Sequence, residues 1–224
     1  DTKILAEFLE QGCEQRNGTL FNKTSGRRVK AILPVHLLGH PCDMDPIGEA
    51  AQRYGLSVIE DATETLGARY KGTLAGDLGD VACLSFNGNK LITTGGGGMI
   101  VTQNSEWAER ARYLTTQAKD DPVEYYHSEI GYNYRLTNIQ AAIGVAQMEN
   151  IDDFIAKKRQ IAQTYETAFS KAEGITAMSI QSGVDPTFWL YTVLLPEDTD
   201  LEHRKSVVTY LNDSGVGARP LWHP

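Results

Sequence analysis

The sequence predicts an α/β protein with a mainly parallel sheet flanked by helices, and three observations predict it. Short apolar runs alternate with helical stretches along the first half of the chain. Helix start and stop residues bracket the stretches between those runs. Several apolar runs end in small polar or charged residues, where an open α/β sheet gathers its ligands. At 224 residues the chain is long enough for one or two domains with a sizeable core.

The elements follow in order. Residues 2–11 read as a short helix with Asp1 as N-cap, and residues 12–28, polar and glycine-containing, as a surface loop. Residues 30–35 form a compact apolar run, a buried strand. Asp45 and Pro46 open the next helix as N-cap and first helical residue, and Gly55 closes it. Strands are predicted at 57–59, 81–86 and 99–102, and a helix at 104–116. Residues 117–134 have no clear period and carry Tyr125, Tyr126, Tyr132 and Tyr134. A long helix is expected over 136–171, with Thr137 and Gln140 at capping-box spacing and Gly174 just beyond its end. Residues 188–195 read as a strand, 200–212 as a helix and 216–219 as a short strand. Phe188, Trp189 and Tyr191 read as packing within the smaller of two domains.

Composition narrows the function. Hydrophobic residues make up 41% and charged residues 22%, and the net charge is −8, which disfavours a nucleic-acid partner. No apolar run approaches the roughly 20 residues that span a bilayer, and no secretion signal is visible, so a cytoplasmic location is expected. Cys13, Cys42 and Cys83 are too few and too scattered for a disulfide framework or a zinc site, so no metal is expected. Cys83, in an apolar run, is expected to be buried.

The chemistry concentrates between Ser57 and Thr102. Asp61 follows an apolar strand and a second acid, Glu60. Taken alone it reads more readily as a helix cap or a surface acid than as a ligand-facing one. Ser85-Phe86-Asn87-Gly88-Asn89-Lys90 takes a strand into a polar turn that ends in lysine. Near a pocket such a lysine attacks carbonyl carbon; in solvent it is only a turn residue. Thr93-Thr94-Gly95-Gly96-Gly97-Gly98 allows close backbone approach, but is neither a P-loop nor a G-x-G-x-x-G fingerprint.

Taken together, these motifs resemble the DegT/StrS-type sugar aminotransferases. The resemblance rests on Glu60-Asp61-Ala62-Thr63-Glu64-Thr65-Leu66-Gly67-Ala68, Tyr70-Lys71-Gly72, Gly76-Asp77-Leu78-Gly79-Asp80, Ser85-Phe86, Lys90 and Thr94 to Gly98. It is extended by His36-Leu37-Leu38-Gly39, Asp43-Met44-Asp45 and Gly131-Tyr132-Asn133-Tyr134-Arg135. The wording around Asp61 and Lys90 is closest to the branch that makes UDP-linked 4-amino-4,6-dideoxy-N-acetylglucosamine, which serves bacillosamine and legionaminic acid pathways.

The resemblance implies a fold-type I enzyme dependent on pyridoxal 5′-phosphate (PLP), with residues 1–135 in the large cofactor domain. Residues 136–224 would supply a linking helix and part of a smaller α+β domain. The N-terminal part of the large domain, with its glycine-threonine phosphate turn, would lie outside this chain. Lys90 would form the Schiff base, Asp61 would pair with the pyridine nitrogen and Ser85 with the cofactor phosphate. Asn133 would reach the phosphate in a neighbouring subunit of a homodimer with shared sites. Glu64 stands where the family usually has glutamine or histidine, so its role toward the ring oxygen is open. His36 and Arg219 are candidate substrate contacts, the latter with Trp222 and His223 beside it. The partners implied are a nucleotide-linked 4-keto-6-deoxy sugar and L-glutamate as amino donor. Two other readings stay open: a sugar dehydratase of the same fold, against which Lys90 argues, and a non-catalytic binding module.

Overall fold

The computed structural model describes residues 1–121 and 123–222; His223 lies outside them. The chain divides into two compact units. The first comprises Asp1–Gln160 with Ile180–Leu190, and the second Ile161–Ser179 with the residues from Tyr191 onward.

The first unit opens with α1 (Thr2–Glu7). The Asp1 carboxylate accepts from the backbone amides of Lys3 and Ile4, as an N-cap should. A π-turn over Phe8–Gly12 leads into β1 (Cys13–Arg16) and β2 (Thr19–Asn22), an antiparallel hairpin. The expected surface loop is therefore structured. Asn17 and Gly18 both have positive φ (50° and 75°), the conformation an Asn-Gly hairpin turn requires. The hairpin buries Cys13 and Leu20.

β3 (Ala31–Ile32) is followed by α2 (Met44–Tyr54). This helix starts two residues earlier than Asp45 and Pro46 suggest, after Asp43 as N-cap. Pro46 still falls in the first turn, where a missing N–H costs nothing. Gly55, at φ 63°, ends the helix in the left-handed conformation. Met44, Ile47 and Ala51 lie on one face and join Ile32, Leu56 and Val58 in the core. Burying a side chain such as Ile47 contributes roughly 1.5–3 kcal/mol.

β4 (Ser57–Asp61), β5 (Arg69–Tyr70), β6 (Thr73–Leu74), β7 (Val81–Ser85) and β8 (Gly98–Val101) follow. The main sheet has the order β3-β4-β7-β8. Its first two pairings are parallel and β8 is antiparallel to β7. Val35, Asp61, Cys83 and Ile100 stand side by side across it. On that face Cys83 is exposed, against expectation.

α3 (Ser105–Thr115) is capped by the Asn104 side chain, and α4 (Asn138–Met148) by the Thr137–Gln140 capping box. The expected single long helix is two, because α5 (Ile151–Phe169) starts afresh after a turn at Glu149 and Asn150. Asp152 and Asp153 fall in its first turn, where the helix dipole favours negative charge. Among the remaining strands, β9 (Thr176–Ala177), β10 (Val184–Asp185) and β11 (Val193–Leu194), β10 pairs with β5 in the first unit and β9 with β11 in the second. In the second unit Tyr165, Phe169 and Tyr191 stack on one another, and α6 (Leu201–Asp213) is capped by Asp200. Residues 216–219 form no strand.

Candidate active site

Strand alternation sorts the two acids at the end of β4. Glu60 faces inward and is fully buried, whereas Asp61 points to the opposite face. Asp61 pairs in register with Cys83 of the parallel neighbour β7. Ser85, two residues further along β7, shares that face, so Asp61 and Ser85 come together at the carboxyl ends of adjacent parallel strands. One Asp61 oxygen accepts from the Thr63 amide at 3.2 Å. Ser85 Oγ accepts from the Asn87 amide at 3.3 Å, which leaves its hydroxyl proton to donate elsewhere.

Lys90 closes the turn after β7, its amide donating to the Asn87 carbonyl. Its side chain is only 14% exposed and lies 3.7 Å from Glu64 Oε1. The other Glu64 oxygen accepts from the Leu38 amide at 2.7 Å. Leu38 adopts a left-handed φ of 63°, which delivers that amide to the carboxylate. On the Lys90 side opposite in sequence, the Trp189 ring lies 4.2 Å from Nζ. Trp189 is buried and therefore belongs to this site in the first unit. The expected role in small-domain packing is corrected for this residue.

The glycine run does what close approach requires at two positions. A Cβ on Gly98 would lie 2.4 Å from the Leu84 carbonyl oxygen, and one on Gly97 2.4 Å from Leu136. The Phe86 amide donates to the Gly97 carbonyl and the Thr94 amide to that of Phe86, which ties the run back to the turn bearing Lys90.

Behind Asp61 sits a buried polar network that local sequence reading missed. Glu60 accepts from His36 Nε2 at 2.9 Å, from the Gly76 amide at 2.8 Å, and from the Leu78 and Gly79 amides at 2.7 Å each. Burial pushes its carboxyl up, but His36 and these three amides outweigh burial and hold it below the usual carboxylate range. Burial disfavours a charge on His36, while the Cys42 side chain and the Glu60 carboxylate favour one, a balance that on its own pushes the pKa up to about 9; the hydrogen bond at Nδ1 argues against the charge. The Cys42 amide decides the matter. It donates to Nδ1 at 3.1 Å, and only an unprotonated nitrogen accepts, so the ring is neutral with its proton on Nε2. His36 has no exposed surface and both of its ring nitrogens are engaged within the chain. The signal was the strand alternation that turns Glu60 inward.

The structure thus brings Asp61, Glu64, Ser85 and Lys90 to one end of the main sheet. Asn133 lies elsewhere in the first unit, bridged to Thr116, in an open hollow of about 810 Å³ that Arg112, Lys119 and Arg135 also line. Arg219 belongs to the second unit, where its guanidinium stands over Trp222. Among the described residues there is no metal-binding cluster, and no helix is long and apolar enough to cross a membrane.

The buried lysine, the strand-end acid and the hydroxyl fit PLP by their chemistry: an amine for its aldehyde, a carboxylate for its ring nitrogen and a donor for an anion. The mainly parallel sheet with these groups at its carboxyl edge is that of the fold-type I PLP-dependent transferases. The chain superimposes on the Helicobacter pylori aminotransferase PseC, involved in pseudaminic acid biosynthesis, with a TM-score of 0.83 at 26% identity, covering 90% of this chain and 55% of that one. For DesI, solved in the presence of its TDP-sugar product, the TM-score is 0.78 at 28% identity, covering 88% and 50%. The chain belongs to the DegT/DnrJ/EryC1/StrS aminotransferase family, matching it over residues 20–224. It is 45% identical over 198 residues to the GDP-perosamine synthase of Caulobacter vibrioides, which covers 88% of the chain and 53% of that protein. The chain spans about half the length of the curated relatives it matches.

Proposed function

We propose that this chain carries the cofactor-attaching end of a PLP-dependent aminotransferase acting on a keto-sugar linked to a nucleoside diphosphate, with an amino acid such as L-glutamate as donor. The observation that carries the reading is the Lys90 amine, largely buried beside Glu64 at the strand end that also presents Asp61 and Ser85. The bound cofactor supplies an electron sink for charge developing at the donor's α-carbon.

The residues do the rest. Lys90 Nζ would hold the cofactor at its aldehyde carbon and would carry the proton at the reacting carbon. Asp61 would hold a proton on the ring nitrogen through its negative charge. Ser85 would donate its hydroxyl to the phosphate. Glu64, already fixed by the Leu38 amide, holds the Lys90 side chain at the strand end. Asn133 and the cations beside it are proposed to serve the cofactor phosphate of a second copy, with residues 1–135 in the large domain and 136–224 leading into the small one.

For the nucleotide, the 45% identity to a GDP-perosamine synthase favours a GDP-linked sugar over the UDP-linked N-acetyl sugar that the wording around Asp61 suggests. Incubating the chain with PLP, L-glutamate and GDP-, UDP- and TDP-linked 4-keto-6-deoxy sugars tests this, with amino-sugar formation read by mass spectrometry. Amination of one sugar, lost in Lys90→Ala, supports the proposal. Amination that survives Lys90→Ala refutes the assigned role.

A further inference from the structure

We propose that Trp189 is the positioning residue for the Lys90 amine, its indole face fixing where Nζ points before any ligand arrives. The inference rests on the reading of Lys90 as the attaching lysine. It goes beyond that reading by assigning a residue 99 positions away in the chain to the same chemistry.

Several attachments fix the ring. The indole N–H donates to the carbonyl of Asn89, the residue next to Lys90, at 2.7 Å. The Trp189 carbonyl accepts from Lys158 Nζ at 3.0 Å. The strap that carries Trp189 is pinned on both sides: the Thr187 amide donates to the Gly39 carbonyl at 2.9 Å, and Arg159 Nε to the Pro186 carbonyl at 3.1 Å. Gly39, at φ 89°, lets the strap approach so closely that a Cβ there would lie 2.5 Å from the Trp189 amide nitrogen. Trp189 is 2% exposed, so water does not compete for its face.

Lys90 Nζ lies 4.2 Å from the ring centroid, well inside the roughly 6 Å over which an aromatic face attracts a cation. The Glu64 carboxylate lies 3.7 Å from the same atom. A lysine side chain is a flexible four-carbon stem. Held by a ring face and a carboxylate, it samples few directions, and attack on a carbonyl carbon depends steeply on direction. The indole touches the amine and its own turn, so its contribution is to orient Lys90.

The test uses the chain with PLP as probe. Attachment is followed as the rate of borohydride-trapped label on Lys90 at saturating probe, with probe affinity measured separately. Trp189→Leu is expected to slow attachment on the order of tenfold while probe affinity changes less than about twofold. Trp189→Phe, which keeps a ring face and loses the indole N–H, should recover most of the rate. Trp189→Leu attaching at the wild-type rate would overturn the proposal. So would Trp189→Phe as slow as Trp189→Leu with an unchanged melting temperature. Should Trp189→Leu fail to fold, Lys158→Met decides. It frees the Trp189 carbonyl, so slower attachment supports the proposal and an unchanged rate overturns it. If the wild-type chain takes no label on Lys90, the reading of Lys90 itself has failed, and that result is recognisable without any variant.

Discussion

Replacing Glu60 by glutamine keeps the shape of the side chain and removes its charge, which isolates what the buried network contributes. The carboxylate faces donors only: His36 and Gly76 on one oxygen, Leu78 and Gly79 on the other. An amide must place its NH2 where one of those oxygens was, against two N–H groups, whichever way it turns. Two hydrogen bonds to a charged group are lost and two buried donors are left unpaired. At about 1.5–3 kcal/mol for each such bond, the variant should lose about 3–6 kcal/mol of stability at neutral pH. A change of His36 tautomer relieves one clash only by turning a ring N–H toward the Cys42 amide.

The pH dependence carries a second signature. The folded carboxyl lies below its unfolded value of about 4.3, so its stabilisation is fully present above that pH and is lost as pH falls through the folded value. The gap between wild type and Glu60→Gln, measured by urea unfolding, should therefore be constant from pH 6 to 8 and close below about pH 4. A variant within about 1 kcal/mol of wild type at pH 7, or a gap that widens in acid, would refute the account of this network.

Other outcomes follow from the same geometry. Gly39→Ala places a Cβ against the Phe188 and Trp189 amides at a left-handed φ, and should cost about 2–4 kcal/mol in urea unfolding. Asp61→Asn removes the charge proposed to hold the proton on the ring nitrogen. It should lower transamination on the order of 10²-fold while leaving the melting temperature within a few degrees of wild type.

The carboxyl ends of β4 and β7 were legible in the sequence because an apolar run that stops in polar residues carries its own boundary. Asp61 and Lys90 stand out locally for that reason. The hairpin at Cys13–Asn22 was not read, although Asn17-Gly18 advertises its turn, because its strands expose polar residues on one face. Tertiary packing decided the rest. Strand alternation turns Glu60 inward, and the segment after β3 brings His36 onto it, a contact between residues 24 positions apart. The approach of Trp189 to Lys90 joins segments about 100 residues apart, bridged by a strap whose only local signature is the close packing at Gly39. The break at Glu149 and Asn150 was missed although Asn150, a favoured N-cap type, stands just before Ile151 and the acids Asp152 and Asp153 follow in the first turn of the second helix.

Peptide mapping after the chain is incubated with PLP and reduced with borohydride tests the central claim most directly. The reduced pyridoxyl group should sit on the peptide containing Lys90 at one equivalent per chain, and should be absent from Lys90→Ala. Label scattered over exposed lysines such as Lys71, with Lys90 unmodified, would contradict it.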